Sequence, residues 1–122
     1  MSPTTSSFKQ YHVYSLRQTL APNSPFTHAL VLTSGDFLHR HYVEVLSVLL
    51  LSPEPRDRVS ELRVTVQCKG TGGTAQLRRD MYASVDNIFP IKDNMLHLHS
   101  GTEIAEHEKA DLQGKMRRWL GI

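Results

Sequence analysis

The amino-acid sequence predicts a small, mainly β protein of the α+β class: a strongly bent antiparallel sheet or partial barrel closed by a C-terminal α-helix. Three observations carry that expectation. Four to six short apolar or alternating segments are separated by clusters of Pro, Gly, Asn and Ser. Helical three- and four-residue periodicity appears clearly only after residue 100. The 122 residues, 39% hydrophobic and 21% charged, suffice for a single domain.

The elements follow in chain order from local chemistry. Residues 1–7 read as a flexible tail and 8–122 as the one domain. Residues 11–16 alternate as a first strand. Pro22 and Pro25 make the next stretch a loop, because proline has no N–H to give a ladder. Ala29, Leu30, Val31 and Leu32 form the continuous apolar run of a buried strand, ended by Ser34, Gly35 and Asp36. Residues 42–51 are the strongest strand candidate, and Pro53 and Pro55 force a surface loop after them. Residues 61–68 alternate as a strand with one wet face. Residues 69–74 are a glycine-rich hairpin connection whose returning strand is 75–85, with Arg78, Arg79 and Tyr82 on it. A last short strand at 87–91 is limited by Pro90.

The helix is expected to begin at residues 100–103, with Thr102 as N-cap and Glu103 and Glu106 at the positive end of its dipole. Lys115, Arg117 and Arg118 suit the other end. Ile104, Leu112, Met116, Trp119 and Leu120 form its apolar stripe, and Gly121 ends it as a left-handed cap.

Composition narrows the function classes. A net charge of +2 and a pI near 8.9 permit an anionic partner without demanding one. Cys68 is the single cysteine, so no internal disulfide forms and a reducing, cytoplasmic setting is expected. No apolar run approaches the roughly 18 residues of a membrane span, and no charged-then-apolar leader opens the chain. No membrane partner and no cofactor are expected.

Several clusters bear on chemistry. His39 with His41, and His97 with His99, have the spacing that puts two imidazoles on one face of a strand. No cysteine or carboxylate accompanies them at ligand spacing, so no metal site is expected. A histidine acting as general base is the better use of that chemistry. Gly70, Gly72 and Gly73 lack the Lys-Ser/Thr ending of a phosphate loop and read as a hairpin. Arg78 and Arg79 can clamp phosphate while Tyr82 stacks a base, with a solvated sheet face as the plainer alternative. Trp119 packs the helix on the sheet or, if exposed, anchors a partner.

The order of elements, the run Thr27-His28-Ala29-Leu30-Val31-Leu32-Thr33, the segment Asp86-Asn87-Ile88-Phe89-Pro90 and the Gly101-Thr102-Glu103-Ile104 lead into the last helix resemble the CcdB/MazF/Kid (PemK) toxin superfamily. The chain's end, Trp119-Leu120-Gly121-Ile122, is similar to the Trp-Gly-Ile tip of the gyrase-poisoning CcdB branch, with one leucine inserted. The resemblance implies an SH3-like barrel and a homodimer. It also implies a type II toxin that inhibits bacterial growth through gyrase or RNA and is neutralised by an antitoxin protein, with residues 119–122 contacting a partner.

MazF-type members cut RNA with an arginine and a threonine, and this chain departs from them. Thr27 stands at the arginine position, Phe89-Pro90 replaces Arg-Thr, and Val48-Leu49-Leu50 replaces the Pro-Ile-Thr segment. Apolar side chains cannot stabilise phosphorane charge. Three readings follow: a toxin, a catalytically inactive barrel that binds a protein partner, or an endoribonuclease whose site is rebuilt from His28, Arg78 and Arg79.

Overall fold

The computed structural model describes residues 7–40 and 44–122. His41, Tyr42 and most of the expected tail lie outside them. Seven strands and two α-helices are formed among the described residues: β1 (His12–Ser15), β2 (His28–Val31), α1 (Gly35–Arg40), β3 (Val45–Leu51), β4 (Arg63–Val66), β5 (Met81–Ser84), β6 (Ile88–Lys92), β7 (Thr102–Glu103) and α2 (Glu106–Leu120). The main sheet is antiparallel in the order β6-β3-β2-β1-β7, and β4 pairs with β5. Pro90 is accommodated because β6 is an edge strand.

The apolar runs of β2 and β3 are explained by burial on both faces. Leu30, Leu49 and Leu51 point into one core with Val64, Val66, Ile104 and Leu112. Ala29, Val31, Val48 and Leu50 point the other way, into a second core with Phe8, Tyr14, Leu38 and Ile91. A strand wet on one side alternates, whereas one covered on both reads as a continuous apolar segment.

The sheet bends around the first core. Past the end of β3, Ser52 and Tyr82 exchange backbone hydrogen bonds at 3.0 and 2.9 Å, handing the sheet on to β5. On the far side, the Gln76 N–H donates to Thr102 Oγ1 at 2.7 Å and Thr74 Oγ1 donates to the Glu103 carbonyl at 2.8 Å. The Lys69 N–H in turn donates to the Ala75 carbonyl at 2.8 Å. This circuit of ladders and side-chain bonds is the partial barrel.

The terminal helix starts later than residues 100–103. Thr102 is a strand residue whose hydroxyl serves the segment at Gln76, and a Cβ on Gly101 would meet the Tyr14 ring at 2.5 Å. That glycine therefore serves close packing, not helix initiation. Ala105 occupies the N-cap and offers no side-chain oxygen, so Glu108 does the capping. Its buried carboxylate accepts the Ala105 N–H at 2.9 Å and the Gln67 N–H at 2.6 Å, fastening α2 to the end of β4. Gly121 does end the helix with φ +72°, its N–H bonding the Arg117 carbonyl at 2.8 Å. No helix among the described residues is long and apolar enough to cross a membrane.

The segment at Gly35, Asp36 and onward, expected only to end a strand, winds into α1 and buries Leu38. One turn-and-a-half is too short for periodicity to reveal.

Replacing Glu108 by Ala strands one buried N–H donor, that of Ala105, and one part-buried donor, that of Gln67. The expected loss is roughly 2–3 kcal/mol of unfolding free energy, read from urea titration of the two proteins at pH 7. A change below 0.5 kcal/mol would show that the carboxylate does not hold α2.

Candidate functional site

The ends of three strands converge on one cleft. Ser15 at the end of β1 is the cross-strand partner of His28, the first residue of β2, and His28 pairs on its other side with Leu51. Loop residues Pro53, Gln76, Leu77, Arg78, Arg79 and Ser100, together with Met81, complete a cleft of about 590 Å³. Thr27 lines it too. The three catalytic candidates of the sequence, His28, Arg78 and Arg79, thus share one cavity although fifty residues separate the histidine from the first arginine in the chain.

His28 is held by its neighbour: Thr27 Oγ1 lies 2.7 Å from Nδ1. With the proton on Nδ1, that N–H donates to Thr27 and leaves the Nε2 lone pair free, as a base requires. Burial pushes the imidazole pKa below its ordinary 6.5, because the charged form loses water, and so favours the neutral ring.

Arg78 and Arg79 do not lie on a strand as the alternation predicted. They occupy the loop before β5, since the ladder begins only at Met81. The loop is pinned at both ends. Upstream stands the Gln76 bond to Thr102. Downstream, Asp80 accepts the Cys68 N–H at 2.9 Å and the Thr71 hydroxyl at 2.8 Å, and these bonds hold its carboxyl below the usual range. Asp80 is thus spent on the glycine-rich turn, and neither arginine forms an ion pair among the described residues. Two uncompensated guanidinium groups beside a neutral imidazole suit a phosphodiester.

Other expected residues go elsewhere. Tyr82 alternates with Met81 and does not line the cleft. Val48, Leu49 and Leu50 are buried, so no substrate reaches them. His39 is on exposed α1. His97 caps a 3₁₀ turn and His99 lies within it, and both line a separate hollow of about 480 Å³, not one face of a strand. Among the described residues no three His, Cys, Asp or Glu side chains gather as a metal would require.

The chain's end also departs from its expected packing role. Leu112 and Met116 seat α2 on the first core, while Trp119 and Leu120 are half exposed and Ile122 is 84% exposed. Trp119 lines a recess with Glu61, Leu62 and Arg118, and Leu120 and Ile122 line a different groove with Tyr11 and Leu32. Residues 119–122 are outside the cleft.

Ser15, Thr27, Pro53, Gln76 and Ser100 were not singled out as cleft-lining by sequence. The only signal available was the polar Thr27-His28 pair at the mouth of an apolar strand.

No protein-family model and no curated protein matches the chain. Among solved structures, a mycobacterial endoribonuclease in complex with its cognate antitoxin superposes with a TM-score of 0.67 at 16% identity, over 94% of this chain and 96% of that one. A second mycobacterial endoribonuclease gives 0.64 at 15% identity, over 97% and 95%. At such identities the likeness is one of fold.

Asp80→Asn is expected to lower stability and loosen the turn it holds. The folded-state pKa of Asp80 is depressed, so its contribution is present above the ordinary 3.8 and disappears as pH falls through the folded value. Urea midpoints of the two proteins should differ at pH 7 and converge below pH 3.8. A constant gap across that range would remove Asp80 from this role.

Proposed function

We propose that this protein is the RNA-cleaving toxin of a bacterial toxin–antitoxin pair, with its site in the cleft of His28, Arg78 and Arg79. The observation that carries the reading is the meeting of a neutral, tethered imidazole with two unpaired arginines in one cleft. The fold supports it, since both structural neighbours are named as endoribonucleases. That naming favours RNA over gyrase as the target.

Chemistry follows from the geometry. His28 Nε2 takes the proton of a ribose 2′-hydroxyl, and the 2′-oxygen attacks the adjacent phosphorus. The bond from phosphorus to the 5′-oxygen breaks, and solvent returns a proton to that leaving oxygen. Arg78 and Arg79 stabilise the charge that builds on the non-bridging oxygens, which the protein's dipoles and cations favour in the transition state over the ground state. The family's arginine and threonine positions are not needed, because their charge and proton-handling tasks pass to these three residues.

An antitoxin partner belongs to the same reading, supported by the neighbour solved with its cognate antitoxin. The exposed tip of Trp119, Leu120 and Ile122 next to Arg117 and Arg118 suits an acidic segment carrying apolar side chains. A homodimer acting in the cytoplasm completes it, on the resemblance. The alternative of an inactive binding barrel is favoured only by that tip.

Purified protein is expected to cleave a long single-stranded RNA at low salt. His28→Ala should lower the rate by about 10²-fold or more, and Arg78→Ala/Arg79→Ala by at least a similar factor. The acid limb of kcat/KM should lie below pH 6.5, because depressing the histidine pKa keeps the base form populated to lower pH. Full activity in the arginine double variant, or no cleavage by the unaltered protein, would overturn the assignment.

A further inference from the structure

Three hydroxyl groups line the cleft, those of Ser15, Thr27 and Ser100. Two are spent within the fold. Thr27 Oγ1 lies 2.7 Å from His28 Nδ1. Ser100 Oγ accepts the Ser15 N–H at 2.9 Å and donates to the His97 carbonyl at 2.6 Å. The Ser15 hydroxyl makes no hydrogen bond among the described residues. It meets the cleft with one donor and two acceptor sites unused.

The ladder sets its position. Val13 pairs with Leu30, Tyr14 with Ala29, and Ser15 with His28. Val13 and Leu30 point into the first core, Tyr14 and Ala29 into the second. Alternation therefore turns Ser15 and His28 to the first-core side, where Met81 of that core also meets the cleft. One step along, the Leu16 N–H donates to the Thr27 carbonyl at 3.0 Å. The Ser15 N–H turns away to Ser100, and its carbonyl accepts the His97 N–H at 3.0 Å. Ser15 and His28 are thus a non-hydrogen-bonded pair, the kind whose Cα atoms stand about 4.5 Å apart and whose side chains come closest. His97 and Ser100 clamp the Ser15 backbone without using its side chain.

We infer that Ser15 is the ribose-recognising residue of the cleft, its hydroxyl donating to the 2′-oxygen whose proton His28 Nε2 accepts. The inference rests on the RNA reading of the cleft and adds a residue to it. A ribose 2′-hydroxyl is both donor and acceptor, and through it a protein tells RNA from DNA. An imidazole that accepts and a hydroxyl that donates, side by side on one sheet face, answer both halves. Arg78 and Arg79 meet phosphate, which DNA and RNA share, and carry no such distinction. With one lone pair of the 2′-oxygen held by Ser15, the hydroxyl proton is directed to His28 and the other lone pair is left for phosphorus. Ser15 keeps its own proton throughout.

The test measures cleavage of a long single-stranded RNA at low salt by the unaltered protein, Ser15→Ala and Ser15→Thr. Single-stranded DNA of the same sequence serves as competitive inhibitor. Both bonds that fasten Ser15 come from its backbone, so Ser15→Ala is expected to keep its urea midpoint. Its kcat/KM on RNA should fall about tenfold, the worth of one hydrogen bond. The Ki of DNA, which has no 2′-oxygen, should stay unchanged, as should the acid limb of the pH profile, because His28 remains the base. Ser15→Thr keeps the hydroxyl and should retain most of the rate. Undiminished cleavage by Ser15→Ala overturns the role. So does a DNA Ki that rises in step with the loss on RNA, or a Ser15→Thr variant as slow as Ser15→Ala. No cleavage by the unaltered protein, or no competition by DNA, overturns the RNA reading with its arginine clamp, and the role of Ser15 falls with it.

Discussion

The central strands β2 and β3 are buried on both faces, and the rest of the molecule is arranged around that constraint. A sheet covered on one side by the β4–β5 hairpin and α2, and on the other by the N-terminal segment and α1, leaves no side chain in its middle for chemistry. Function is pushed to where strands end. Ser15 and His28 stand at such ends, Pro53 follows another, and the arginines come from a loop. Functional residues gather on loops held by a rigid scaffold for the same reason in many folds.

Loops at strand ends are precise only when fastened, and carboxylates and hydroxyls do the fastening here. Thr102 and Asp80 hold the two ends of the arginine loop, Glu108 holds the helix that backs the hairpin, and Arg63 holds Asp57. Two of these fastenings have an electrostatic consequence beyond their own stability. Asp80 and Asp57 sit next to arginines in sequence, and without other partners they would neutralise them. Committing both carboxylates to structural bonds leaves Arg56, Arg58, Arg78 and Arg79 without an ion pair among the described residues, in a chain whose net charge is only +2, and two of these arginines line the cleft. Bulk charge is therefore a poor guide to phosphate binding in this molecule.

The same reasoning marks what the sequence made legible. Strands β1 to β6 were visible because apolar runs and alternation report burial directly. The gathering of His28 with Arg78 and Arg79 was not, because it depends on register: Ser15 opposite His28, and Tyr82 opposite Ser52, are set by turn geometry that local pattern does not contain. The helix start was misread for a related reason. Thr102 has the chemistry of an N-cap, yet tertiary partners at Gln76 claimed its hydroxyl, and capping passed to a glutamate six residues on. A residue suited to a local role is free to take a distant one, and only the packed structure shows which it took.

That shift of the helix also separates the two proposed activities. Leu112 and Met116 seat α2 on the core, and Trp119, Leu120 and Ile122 beyond them stay half exposed or more, outside the cleft. Had it begun at residue 102 with the stripe of Ile104, Leu112, Met116 and Trp119 all turned inward, the tip would have been packing alone. Instead Ile104 reaches the core from the link before the helix, and the last turn is left available. A surface for a protein partner that shares no residue with the cleft permits binding and cleavage to vary independently. An antitoxin held at the tip would then inhibit by reaching across to the cleft or by changing the barrel's assembly, not by filling the tip itself.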